Sequence, residues 1–285
     1  MTPFAARFAD LARSRSPLCL GVDPSPELLG LWGLPDSPDG IRRFCGTVLE
    51  AAGELVAMIK PQIAYFERHG AAGLAEASTV ATQIRERHSL CTIDAKRGDI
   101  ESTMEGYAEA IFGASGGLRA DAVTLNPYLG YETLQPVIRH AQDTGGGVFV
   151  VVRSTTTGGQ VAQNARLDDG RTVAEGMADE ITTQNAAIGG LPGPVGAVLG
   201  ATLPACDADI VQRLPRSLIL VPGLGAQGAR MSDTARKFAA ASGRVVPTLS
   251  RGILRHGPNV ARLRDSILRQ KEAAWSVWSE TAYEG

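Results

Sequence analysis

The sequence has few of the residues that would tie it to disulfide, metal, nucleic-acid or membrane chemistry. Its four cysteines, Cys19, Cys45, Cys91 and Cys206, form no C-x-x-C pair. Three of them lie within or beside apolar runs, where a small buried thiol is the expected state. The four histidines, His69, His88, His140 and His256, share no spacing that would make a ligand set. A formal net charge of −2 and a pI near 6.1 leave no basic surface for nucleic acid. No apolar run approaches the roughly 18 residues of a membrane span. The N-terminal stretch carries Asp10 and scattered arginines where a signal peptide needs an unbroken apolar core. These absences predict a soluble protein of the reducing cytoplasm.

What is present is glycine, 33 residues of 285, which suits many tight strand-to-helix turns in a chain long enough for one large core. Eight short apolar runs, at 18–22, 55–59, 90–93, 122–125, 147–152, 194–199, 218–221 and 245–249, lack the alternation of a half-exposed strand. Helical spacing separates most of them. It is visible at 3–13, 41–54, 71–87, 132–142, 173–187 and from 259 into the 270s. Ser102-x-x-Glu105 predicts a capping box opening a helix to Phe112. This count and order predict a single (β/α)8 barrel domain over residues 1–285, with a short leading helix. A doubly wound open sheet is the competing architecture, but it does not require eight repeats, and no G-x-G-x-x-G follows the first run.

Polar residues gather where these runs end. Asp23, Lys60, Asp94, Lys96, Asn126, Ser154 or Thr155, Gln227 and Arg251 all fall at or just past C-terminal strand ends, the face on which barrels place chemistry. The densest stretch is Thr92 to Ile100. Strand alternation predicts that Asp94 and Lys96 point the same way. Gly98 then supplies a bend that can return Asp99 toward the same ammonium, unless Asp99 merely caps the following helix. Gly223 to Gly228 after the seventh run and Ser250-Arg251-Gly252 after the eighth occupy the usual phosphate position of a barrel, and Arg251 adds a forked, permanently charged donor. A phosphorylated small molecule is the expected substrate.

Asp94-x-Lys96-x-x-Asp99, with Lys60, Asp23 and the Pro222-Gly223 and Ser250-Arg251-Gly252 turns, resembles the orotidine 5'-phosphate decarboxylase family along nearly the whole chain. The segment Asn126-Pro127-Tyr128-Leu129-Gly130 and the length resemble its longer bacterial branch, type 2. The resemblance implies conversion of orotidine 5'-phosphate to UMP and CO2 in pyrimidine biosynthesis. It makes Lys96 the proton donor to C6, places Asp94 and Asp99 beside the leaving carboxylate, and completes the charge array with Lys60. Asp99 and Thr103 would enter from the neighbouring subunit of a homodimer. Asp23, Lys60 and Thr103 would hold ribose hydroxyls; Gln227, Arg251 and Gly252 would hold phosphate. One departure falls after the fifth run, where the branch has Thr-Ser-Asn-Pro-Gly and this chain has Ser154-Thr155-Thr156-Thr157-Gly158. Thr155 then becomes the pyrimidine-binding hydroxyl.

The implied chemistry needs no cofactor and no metal, because carboxylates on either side of Lys96 keep it charged, whereas an imine-forming lysine needs a lowered pKa. Three rivals remain. One is a Mg-dependent sugar-phosphate decarboxylase of the same superfamily, which carries an acid where this chain has Lys60. A Schiff-base aldolase and a non-catalytic barrel that binds a phosphate ligand are the others. The polar stretch 156–169 is too long for an ordinary barrel turn and predicts a structureless lid that acts together with 225–231.

Overall fold

The computed structural model describes residues 1–114, 117–190, 192–202, 208–225 and 228–278. Eight strands close a parallel barrel in sequence order: β1 (Cys19–Val22), β2 (Met58–Pro61), β3 (Leu90–Arg97), β4 (Ala122–Leu125), β5 (Gly147–Arg153), β6 (Val195–Leu199), β7 (Ile219–Val221) and β8 (Val245–Leu249). Through their apolar runs the strands are covered on both faces, which is why the runs read as continuously apolar, while the end of β3 emerges at the mouth. The longer helices are α1 (Phe4–Ser14), α3 (Pro38–Ala52), α5 (Gly70–Glu86), α6 (Glu101–Phe112), α7 (Gln135–Asp143), α9 (Val173–Ile188) and α13 (Val260–Ala274). Shorter ones stand at strand ends and in loops: α2 (Pro26–Leu31), α4 (Ala64–Glu67), α8 (Thr157–Gln163), α10 (Ala208–Gln212), α11 (Met231–Lys237) and α12 (Arg251–Leu254). Among the described residues no helix is long and apolar enough to cross a membrane.

The main core lies between the barrel and its helices. A second cluster joins barrel side chains, among them Cys19, Met58, Phe149 and Val246, to Phe4 and Phe8 of α1 and to Trp278. Phe4 fills the space a side chain at Gly147 would need, and Gly147 opens β5. The leading helix therefore closes the N-terminal end of the barrel. Edge-on ring contacts secure it, Phe4 to Phe149 at 5.8 Å and Phe8 to Trp278 at 5.7 Å. Burying a side chain of this size contributes roughly 1.5–3 kcal/mol. With one end plugged, the C-terminal mouth is left for polar residues. Cys19, Cys45 and Cys91 are buried thiols, and burial raises the first to about 12; Cys206 lies outside the described residues.

Three local expectations change. The Ser102–Glu105 capping box does not form, because α6 starts two residues earlier than a Ser102 cap implies, after an Ile100 that offers no capping side chain. A box forms instead at Thr172 and Glu175, opening α9. The stretch 156–169 is not structureless, since α8 occupies its first half. Strand β3 runs four residues beyond the apolar run that announces it, carrying Asp94 and Lys96 on the strand itself.

Candidate active site

The inner face of β2 presents Lys60, two residues on from Met58, and β3 presents Asp94, two residues on from Thr92. Lys60 Nζ meets Asp94 Oδ2 at 2.5 Å, and Lys96 Nζ meets Asp94 Oδ1 at 2.5 Å. One carboxylate is thus shared by two ammonium groups. The side chains of Lys60 and Asp94 are 7% and 9% exposed, whereas that of Lys96 is 48% exposed and faces the mouth. Burial alone would push the Asp94 carboxyl up, but the charges and hydrogen bonds of Lys60 and Lys96 outweigh it and hold the group well below the usual carboxylate range. Burial likewise works against the Lys60 ammonium, yet Asp94, with help from Asp23, holds its pKa above the ordinary lysine value.

Thr124 of β4 completes this array, and sequence reasoning passes over it as part of an apolar run. Its hydroxyl donates to Asp94 Oδ1 at 2.9 Å and accepts from the backbone N–H groups of Ala95 and Lys96 at 3.0 Å each. The only sequence signal is its inward register, two residues after Ala122. Strand alternation does not by itself bring Lys96 to Asp94. Lys96 has φ +45° and the β3–β4 register shifts between Ile93 and Arg97, so a local kink swings the ammonium onto the carboxylate. Arg97 points outward, pairs with Glu67 and lies over the Tyr107 ring at 5.4 Å, fixing α6 against the strand.

Past the kink, Gly98 packs where any side chain would strike the Asn126 carbonyl. Asp99 does not return to Lys96 of its own chain, as a simple bend would allow. Its Oδ1 accepts from Ile100 N at 2.7 Å, and it does not cap α6. At the end of β1, the strand next to β2, Ser250 donates to Asp23 Oδ2, while Asp23 Oδ1 is buried without a hydrogen-bond partner. That close approach of β8 to β1 requires Gly21, whose missing side chain would lie 2.7 Å from Ser250 Cβ. Beside the ends of β7 and β8, Leu224, Gly225, Arg230, Arg251, Gly252 and Arg255 help line a cavity of about 460 Å³.

The family model for the orotidine 5'-phosphate decarboxylase / HUMPS family matches residues 16–265. The chain belongs to that family. An orotidine 5'-phosphate decarboxylase of Myxococcus xanthus is 47% identical over 268 residues, covering 94% of this chain and 93% of that protein. A crystal structure from Streptomyces avermitilis, proposed to be the same enzyme, superposes with a TM-score of 0.90 at 42% identity, covering 97% of this chain and 96% of that one. The Methanocaldococcus jannaschii decarboxylase, solved with the inhibitor BMP, shares the fold at a TM-score of 0.64 and 16% identity, covering 90% of this chain and 97% of that one.

Full-length relatives at 47% and 44% identity that are orotidine 5'-phosphate decarboxylases make the chain a carboxy-lyase. Of the residues the sequence nominates, the structure brings Lys60, Asp94 and Lys96 together. Asp23 stands on the same rim, and Arg251 and Gly252 share the neighbouring cavity. Thr103 is exposed on the first turn of α6, and Asp99 is half-buried in the loop before it. Thr155 sits half-buried after β5, with its methyl group against Gly200 at the end of β6. Gln227 lies outside the described residues. Arg230, which sequence reasoning leaves unassigned, joins Arg251 in lining the cavity. Among the described residues no group of three or more His, Cys, Asp or Glu side chains is placed to hold a metal ion.

Proposed function

We propose that this chain decarboxylates orotidine 5'-phosphate to UMP with Lys96 as the proton donor, without a metal or other cofactor, as one cytoplasmic barrel domain over residues 1–285. The observation that carries the reading is the shared carboxylate of Asp94 between the ammonium groups of Lys60 and Lys96. The C6–carboxylate bond breaks, CO2 departs, and the electron pair stays on C6 as an sp2 carbanion with no adjacent carbonyl to delocalise it. A placed cation is then the available stabiliser. Lys96 supplies it and passes a proton from Nζ to C6. Half-exposed at the mouth, its amine regains a proton from water.

Asp94 keeps both lysines in place, and with Asp99 it faces the leaving carboxylate. Each factor of ten in rate needs roughly 1.4 kcal/mol, and the slowest reactions require roughly 20 kcal/mol or more. One ammonium does not supply that, so binding energy from the remote phosphate closes and orders the site. Arg251, Gly252 and Gln227 take the phosphate. Lys60, Thr103 and Asp23, whose Oδ1 has no partner, take the ribose hydroxyls, and Thr155 reads the pyrimidine. Asp99 and Thr103 act in the pocket of the neighbouring subunit of a homodimer.

The test is the ultraviolet loss of orotidine 5'-phosphate on adding the purified protein. Turnover should persist after exhaustive chelation; loss restored by Mg2+ would point to the sugar-phosphate decarboxylase branch instead. Lys96→Ala should abolish turnover while UMP still binds, and residual activity near wild type would remove Lys96 from the mechanism.

A further inference from the structure

Between β5 and α9, the short helix α8 touches the site through one side chain. The Gln163 amide oxygen accepts from Ser154 N at 3.1 Å, and its amide nitrogen donates to Ser154 Oγ at 3.1 Å. Ser154 Oγ and Thr156 Oγ1 are hydrogen-bonded at 2.9 Å. One amide thus closes a nine-residue loop onto the turn that follows β5.

The seat is built for that approach. Gly159, one helical turn before Gln163 and on the same face of α8, lies where a side chain would strike Ser154 Oγ and come within 2.8 Å of Thr156 Oγ1. On the other side of the turn, Gly200 bonds through its N–H to the Arg153 carbonyl at 3.0 Å and leaves room only for the Thr155 methyl. Thr155 is therefore held by both chain neighbours and by its own methyl. A β-branched side chain with its methyl fixed has its hydroxyl direction set as well. No hydrogen bond among the described residues engages that hydroxyl.

We propose that Gln163 is a positioning residue for pyrimidine recognition, pinning the Ser154–Thr156 turn from α8 so that the Thr155 hydroxyl is aimed at the base. This rests on the reading of Thr155 as the pyrimidine contact. Gln163 itself touches no reacting atom. Its loss leaves the phosphate and ribose contacts intact and lets the turn, and with it the Thr155 hydroxyl, sample other directions.

The experiment measures the affinity of UMP and of ribose 5-phosphate by calorimetry, with KM and kcat for orotidine 5'-phosphate. The proteins are the wild type, Gln163→Ala, Thr155→Val and the double variant. Gln163→Ala should weaken UMP about three- to tenfold, the range that one or two net hydrogen bonds carry. It should raise KM in parallel and leave ribose 5-phosphate within twofold. In the Thr155→Val background the same change should cost nothing further, because the hydroxyl it aims is gone. Ser154→Ala removes the hydroxyl half of the clamp from the other side, should act in the same direction, and replaces Gln163→Ala should that variant not fold. Equal losses for both ligands, full additivity with Thr155→Val, or unchanged UMP affinity would overturn the role of Gln163. A Thr155→Val protein that binds UMP like the wild type would instead sink the assignment of Thr155 itself.

Discussion

Asp94 is the residue on which the site's electrostatics turn. Replacing it with Asn leaves Lys60 buried beside a neutral amide, and removing one partner of a buried pair costs about 3–5 kcal/mol. Asp94→Asn should therefore lower stability by that amount in urea unfolding at pH 7. A loss within the roughly 0.5 kcal/mol of a surface substitution would show that the pair contributes nothing. The sign with pH follows from the two shifts. The Asp94 pKa is depressed, so its contribution is present above the unfolded carboxyl value near 3.9 and is lost as pH falls through the folded value. The Lys60 pKa is raised, so its contribution is complete below about 10.4 and is lost as pH rises through the folded value. Above the carboxyl range the gap between wild type and variant should hold until the variant's Lys60, buried without the Asp94 charge, begins to lose its proton, and should narrow from there as pH rises. At pH 3 it should be narrower by about 1 kcal/mol.

At the level of elements, the β3–α6 connection brings Lys96 to Asp94, and the β5–α9 connection is the candidate lid. The first works because a strand kink at Lys96 and a glycine at 98 let the chain turn tightly beside β4. The second is long, yet anchored at both ends. Gln163 ties its start to Ser154, and Arg171 ties its far end to Asp179, which also receives Arg213. Between these anchors, residues 164–170 are exposed, the pattern of a segment that opens locally at low cost. A UMP-like ligand is expected to protect both 156–169 and 225–231 from limited proteolysis as they order over the nucleotide. Equal cleavage with and without ligand would count against a lid.

For the whole molecule, the position of Asp99 decides the matter. It faces its own loop rather than Lys96, and Ile100 beside it, with Tyr128 and Leu129 in the loop after β4, are exposed apolar side chains on the same rim. If Asp99 acts in a partner's pocket, a Lys96→Ala subunit paired with an Asp99→Asn subunit forms one pocket with both lesions and one with neither. Each homodimer should be inactive. Random reassortment of equal amounts should then restore about a quarter of wild-type activity, because half of the dimers are mixed and each has one intact site of two. Recovery of nothing after mild dissociation and mixing would confine Asp99 to its own subunit.

The sequence by itself determined the barrel, its leading helix and the polar rim. Strands covered on both faces must be apolar throughout, and a closed parallel barrel places every strand end on one face, so Lys60, Asp94, Lys96 and Arg251 could be assigned to a common rim from order alone. It also carried the D-x-K-x-x-D spacing on which the family reading stands. Tertiary structure decided what spacing does not encode. Alternation puts Lys96 and Asp94 on one face of a regular strand, whereas the contact is made through a left-handed residue whose cost only the assembled barrel can offset. Thr124 reads as one more apolar-run residue until β4 is laid beside β3, when its hydroxyl becomes the link between Asp94 and the kinked backbone. Gln163 reads as one polar residue of a long loop until α8 folds back onto Ser154. In each case the partner is distant in the chain or the backbone is locally irregular, and a one-dimensional pattern records neither.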